Sequence, residues 1–208
     1  MKVTNLKDIS IKEYKRIVCR SAGSYQSIMP AVRETMENVR KNGDRALLEK
    51  GQQRFGKITY TSLKVSQKDI QQAYKEVDAQ FMMSLKQMIR NITIVHKAQL
   101  PTKKDTVVEP LKGITVWREW RPIEKVGIYI PGGKAIYPSS VLMSIIPAQI
   151  AGCREIVMCS PPRGNGQIPA PTLVAADLIG ISTIFKVGGA EAIAAMTYGT
   201  ESIPKVYK

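Results

Sequence analysis

Histidine is almost missing from this chain: His96 is the only one in 208 residues. One imidazole cannot supply two histidine ligands to a metal, nor a histidine base beside a histidine ligand. At the end of a helical pattern it reads as a structural or surface residue. Cysteine is equally scarce, and Cys19, Cys153 and Cys159 form an odd set without metal-ligand spacing. This argues against a disulfide framework and for reduced thiols. Cys159 closes the apolar run Ile156-Val-Met-Cys159 with no base beside it in sequence, so it reads as a small core residue and not as a nucleophile. No apolar run approaches the ~18 residues of a membrane span. The first twenty residues mix Lys2, Lys7 and Lys12 with Asp8 and Glu13, which is not a signal-peptide core, and cytoplasm is the expected compartment. Gly-x-Gly-x-x-Gly is absent too, and with it the usual dinucleotide fingerprint.

Positive charge, by contrast, is plentiful: 31 Lys and Arg against 17 Asp and Glu, a net +14. Its distribution is uneven. Residues 126–208 hold 6 basic and 4 acidic side chains, which leaves +12 of the excess on residues 1–125. There it is spread over isolated lysines on helical faces, without the aromatic interleaving or Gly-rich loop of an RNA-binding module. Weak polyanion binding follows from charge alone, and a basic nucleic-acid-binding protein is the remotest of the readings.

The first 122 residues read as a helical region with one hairpin. Ile28, Val32, Met36 and Val39 recur at helical spacing until Asn42-Gly43, and a shorter helix is expected from Asp44 to Phe55. Leu63-Lys-Val65 is a short extended piece. Ser66-Gln-Lys-Asp69 has the form of a capping box. It opens a single long helix in which Ile70, Tyr74, Val77, Phe81, Leu85, Met88, Ile92 and Val95 keep steps of three and four until Pro101. Thr106-Val-Val108 and Ile114-Thr-Val-Trp117 then pair as an antiparallel hairpin, with Trp117 and Trp120 expected against the long helix.

At Arg121-Pro122 the grammar changes, and residues 123–208 read as a second domain of alternating strands and helices. Strands are expected at Gly127–Ile130, Ile156–Cys159 and Thr183–Val187, and helices at Ser139–Gly152, Thr172–Gly180 and about Ala190–Tyr198. Pro147 should kink or end the first of these helices. Ala151-Gly-Cys-Arg-Glu-Ile156 and Ile179-Gly-Ile-Ser-Thr-Ile184 repeat one layout 28 residues apart, the length of a βαβ unit. The fold class is therefore α/β with a parallel sheet. Ser160 to Pro169 reads as a surface excursion beside the crevice.

Two junctions carry the chemistry. Val126-Gly-Ile-Tyr-Ile-Pro-Gly-Gly133, followed by Tyr137-Pro-Ser-Ser-Val-Leu-Met143, runs a strand into a double glycine and then a helix. Phe185-Lys-Val-Gly-Gly-Ala-Glu-Ala-Ile-Ala-Ala195 repeats the arrangement, and Gly199-Thr-Glu-Ser-Ile-Pro-Lys205 closes it. In a parallel sheet such junctions lie at the carboxyl ends of strands, where ligands bind. Glycine pairs are also ordinary tight-turn chemistry, and pattern alone leaves both readings open.

These stretches, with Val39-Arg-Lys-Asn-Gly-Asp-Arg-Ala-Leu47, Leu63-Lys-Val-Ser66 and Ile94-Val-His-Lys-Ala-Gln99, resemble histidinol dehydrogenase. The resemblance covers nearly the whole chain, although members of that family are roughly twice as long. It implies an N-terminal helical region with a β-hairpin, followed by a partial Rossmann-like sheet akin to that of aldehyde dehydrogenases. It also implies an NAD-dependent, two-step oxidation of L-histidinol to L-histidine, and intertwined homodimers. The family's cofactor-contacting tyrosine falls on Tyr129. Its Gln in Gly-Gly-Ala-Gln-Ala falls on Glu191, a departure, since a carboxylate only accepts hydrogen bonds and would repel a pyrophosphate. Tyr207 stands where the family pattern has Asp. Lys208 falls just before the expected Gly-Pro-Gly-Asn turn, and the zinc ligands and catalytic residues implied by the resemblance have no counterpart in residues 1–208. Two rival expectations follow: part of an enzyme, inactive by itself, or a noncatalytic binding or assembly module.

Overall fold

The computed structural model describes residues 5–18, 25–55, 62–132 and 135–208. Cys19 and Gly133, both singled out above, lie outside them.

Among the described residues, four α-helices and a hairpin come first. Helix α1 is Ile11–Val18 and α2 is Tyr25–Phe55, the latter interrupted at Gly43, where φ is +51°. The expected pair of helices is thus joined at a glycine that tolerates the left-handed backbone. The second half of α2 starts with its amides tied to a distant segment: Asp44 N–H donates to the Glu201 carboxylate at 2.8 Å, and Thr200 Oγ1 donates to the Asp44 carboxylate at 2.5 Å.

The single long helix expected from Ser66 is two helices, α3 (Gln67–Lys75) and α4 (Ala79–Ala98). The Ser66–Asp69 capping box is formed as expected. The break comes at Asp78, whose carboxylate accepts the Phe81 amide at 2.6 Å and starts a new helix one residue after Val77. A side-chain acceptor at that point outcompetes continuation.

Strands β1 (Lys104–Leu111) and β2 (Ile114–Glu119) form the expected antiparallel hairpin. The tryptophans do not pack into a helix. Trp117 and Trp120 are 46% and 48% exposed, and Lys104 and Arg118 lie over their rings at 4.5 and 5.1 Å. Trp120 Nε1 donates to Asp105 at 2.8 Å, and Arg118 donates to both oxygens of the same carboxylate. Hydrogen bonds from Arg118 and Trp120 hold the Asp105 pKa down to about 2.

The sheet follows: β3 (Lys125–Tyr129), α5 (Pro138–Ala151), β4 (Glu155–Cys159), α6 (Ala170–Leu178), β5 (Ile184–Phe185) and α7 (Gly189–Tyr198). The strands are parallel in the order β3-β4-β5. Gly152 and Gly180, the repeated glycines, take φ of +93° and +78° just after α5 and α6. Helix α5 does not end at Pro147 but runs on to Ala151. The carbonyl that Pro147 deprives of a donor belongs to Met143, which is on the exposed side where water can serve it.

Both faces of the sheet are covered, so inward-pointing residues alternate along each strand. Ile128, Ile130, Met158 and Ile184 belong to one apolar cluster with residues of α3, α4, α5 and α6, among them the fully buried Leu85, Leu142 and Leu173. Tyr129, Val157, Cys159 and Phe185 belong to the other, with residues of α2 and α7. Burial raises the Cys159 thiol to about 12, which keeps it protonated and non-nucleophilic at neutral pH.

Each outer edge of the sheet is occupied as well. Val65 N–H donates to the Ile184 carbonyl and Lys186 N–H to that of Leu63, so the extended piece Leu63–Val65 lies antiparallel along β5. On the other side, Tyr207 N–H donates to Lys125 and Gly127 N–H to Lys208. The chain therefore steps from β3 outward to β5 and comes back to the opposite side of β3. Residues 207 and 208, which belong to no strand, thus take the edge of β3 opposite β4, and in open parallel α/β sheets ligands bind outside the carboxyl ends of the strands.

Candidate functional site at the strand ends

At the carboxyl ends of the strands three turns meet around Pro161. The turn after β3 brings Gly132 against it: a Cβ on Gly132 would stand 3.1 Å from Pro161 Cγ and 3.2 Å from its carbonyl oxygen. The turn after β5 brings Gly188 from the other side, where a Cβ would stand 2.4 Å from Pro161 Cβ. Pro161 and Pro162 are buried, as are Gly166 and Ile168, so in the segment Ser160–Pro169 only Gly164 and Asn165 are exposed as a surface excursion would be. Its proline and glycine content resembles a solvent loop, but Pro161 is a wedge between two glycine backbones. Of the two glycine pairs, Gly132 and Gly188 serve close approach, and Gly189, with φ of +71°, serves backbone conformation.

Tyr129, the last residue of β3, reaches across to the start of α7. The Gly189 amide donates to its hydroxyl oxygen at 3.4 Å. The two junctions of the sequence, 60 residues apart, are thus in contact. Glu191 lies one turn into the same helix, partly exposed. A carboxylate there complements the positive end of the helix. It lines a small pocket with Lys50, Gly51, Pro162, Lys186 and Gly188.

Lys186 is held by Asp69 at 3.2 Å, with both side chains largely covered. This pair joins the tip of β5 to the first turn of α3. Burial opposes ionisation of Asp69, but the Ser66 amide, the Lys186 ammonium and the Ser66 hydroxyl together keep its pKa below the ordinary carboxylate value. The stabilisation is therefore complete above the ordinary carboxylate range and lost as pH falls through the lowered folded value. Asp69→Asn is expected to cost about 1–2 kcal/mol at neutral pH and to flatten the acid-induced loss of stability. Urea unfolding repeated from pH 7 down to pH 3 checks both parts; an unchanged acid slope counts against the role given to Asp69.

Ser160 and Pro161 are the residues that the sequence did not single out. Ser160 is fully buried, and its Oγ has no hydrogen-bond partner among the described residues. Leaving a buried hydroxyl unpaired costs ~1–3 kcal/mol. The signal was present in the run Ser-Pro-Pro directly after a strand, since a proline there cannot offer the next ladder amide.

The parallel order β3-β4-β5 and the meeting of the β3 tip with the start of α7 define a Rossmann-like α/β protein. The family model for histidinol dehydrogenase matches residues 18–208. The chain is 41% identical over 206 residues to histidinol dehydrogenase of Methanocaldococcus jannaschii, covering 99% of itself and 48% of that protein. Against the histidinol dehydrogenase of Bacteroides fragilis strain YCH46 the identity is 46% over 196 residues, with 94% and 45% covered. The crystal structure of histidinol dehydrogenase from Elizabethkingia anophelis superposes with a TM-score of 0.81 at 40% identity, covering 86% of this chain and 41% of that one. The chain belongs to the histidinol dehydrogenase family, and it spans about half the length of these relatives.

Proposed function

We propose that these residues form the cofactor-binding part of an NAD-dependent enzyme that oxidises L-histidinol through the aldehyde to L-histidine, in the cytoplasm. The observation that carries this reading is the contact between Tyr129 and Gly189 at the strand ends, in a chain of this family. Bound NAD would accept the hydride. The residues proposed to contact it are Tyr129, whose phenol both donates and accepts and whose ring offers a flat apolar face, and Glu191, whose carboxylate only accepts and lies close enough to the phosphates to weaken binding. Gly132 and Gly188 keep side chains out of the cleft floor.

The residues present do not fit the zinc that the resemblance implies. The sequence has one histidine, and among the described residues no group of three or more His, Cys, Asp or Glu is arranged to hold a metal. The proposed division of labour follows: residues 123–208 bind the dinucleotide, residues 1–122 support them, and the metal-assisted chemistry is done by residues outside this sequence. A second copy of the chain is the proposed partner. The hairpin presents Val108, Leu111, Ile114 and Val116, each at least half exposed, and a two-stranded ribbon of this kind is marginal alone.

One preparation of the purified chain tests the whole reading. Saturable NAD binding by calorimetry is expected, weakened about fivefold by Tyr129→Phe, the loss of one ordinary hydrogen bond. Sedimentation should show a dimer, and histidinol with NAD should give no NADH. Absence of saturable NAD binding sinks the cofactor assignment. NADH production sinks the assignment of chemistry to residues elsewhere.

A further inference from the structure

The ladder between β3 and β4 stops one rung short of the cleft. Ile130 N–H donates to the Cys159 carbonyl at 2.9 Å, and in a parallel pair the next rung would run from residue 161 back to the Ile130 carbonyl. Residue 161 is proline and has no N–H. Ser160 bonds the other way, its amide donating to the Phe185 carbonyl at 3.1 Å. Among the described residues its hydroxyl is thus a buried donor without an acceptor, beside a strand end whose next rung Pro161 cannot supply. The Oγ faces bare backbone, since a Cβ on Gly132 would stand 3.2 Å from it.

Alanine would fit that backbone without stranding a hydroxyl, so the serine is costly in the ligand-free chain. We infer that Ser160 is a positioning residue for the dinucleotide, resting on the cofactor reading above: ligand seated on the strand ends draws the Ile130–Gly132 backbone onto the Ser160 hydroxyl, which then makes the rung that Pro161 cannot. No bond is made or broken beyond this hydrogen bond. Serine gives up stability in the empty chain and recovers it on binding. Small shifts suffice, because Gly132 carries no side chain to obstruct them.

The test is calorimetric NAD titration beside thermal unfolding without ligand, on the 208-residue chain with Ser160→Ala, Ser160→Thr and Ser160→Val. Threonine and valine have nearly the same shape and differ in the hydroxyl, so that pair carries the comparison if alanine disturbs folding. Ser160→Ala is expected to unfold at the same or a higher temperature and to bind NAD roughly fivefold more weakly. Thr should bind as Ser does, and Val as Ala does. Variants that change the unfolding temperature but leave NAD affinity alone overturn the inference and spare the cofactor reading. A wild-type chain that does not bind NAD overturns both.

Discussion

Gly188→Ala is expected to destabilise the chain by about 1–3 kcal/mol, the usual cost of forcing extra volume into a packed site. The reason is steric and not conformational. Gly188 has φ of −131°, which any residue adopts, so the backbone itself would accept alanine. The new methyl, however, would fall 2.4 Å from Pro161 Cβ and 3.1 Å from its Cα. Neither atom can swing away, since the ring is fixed to the backbone and Pro161 is held on its other flank by Gly132. At roughly 2–4 °C per kcal/mol for a chain of this size, the shift is easily read by thermal unfolding. Pro161→Gly removes the opposing Cβ and should recover part of the loss in the double variant. Unfolding of Gly188→Ala at the wild-type temperature would mean that the turns after β4 and β5 are not packed this closely.

Glu191→Gln carries the second large effect, on affinity. Under the cofactor reading, the first turn of α7 faces an anionic dinucleotide, and Glu191 sets a carboxylate where the family motif has an amide. Like charges several ångströms apart at a protein surface disfavour each other by ~1 kcal/mol or more, less as salt screens them. The amide variant should therefore bind NAD about tenfold more tightly at low ionic strength, with the gain shrinking as salt is raised. Lys50 and Lys186 line the same pocket, and Lys186 is already engaged by Asp69. Titration of both proteins at two salt concentrations decides the matter: equal or weaker binding by the variant places the carboxylate away from the phosphates.

Much of this fold was legible because its signals are local. The βαβ repeat around Gly152 and Gly180, the hairpin, the Ser66–Asp69 capping box and the helix break at Gly43 each depend on a few adjacent residues. What escaped depends on partners far away in sequence. The apolar steps run unbroken through Val77, and only the bond from Asp78 to the Phe81 amide divides α3 from α4. Nothing in Ser160–Pro169 announces burial until Gly132 and Gly188 are set on either side of Pro161. The exposure of Trp117 and Trp120 was hidden for a related reason: salt-bridged Asp105 and Arg118 satisfy and cover the Trp120 indole, and Lys104 lies over Trp117, without any helix. At the candidate site the glycine junctions marked the place, while the hydroxyl of Ser160 became conspicuous only once its burial was known.

The strip Leu63–Val65 on the border of β5 has a consequence for biosynthesis. Lys64 meets Phe185, and the ribosome must add more than a hundred residues between the two before the pairing can form. Helices made early therefore wait, with Leu63 and Val65 uncovered, for a strand that does not yet exist. A nascent chain in that condition is a natural client for chaperones, and its maturation should be limited by the closure of this long-range seam.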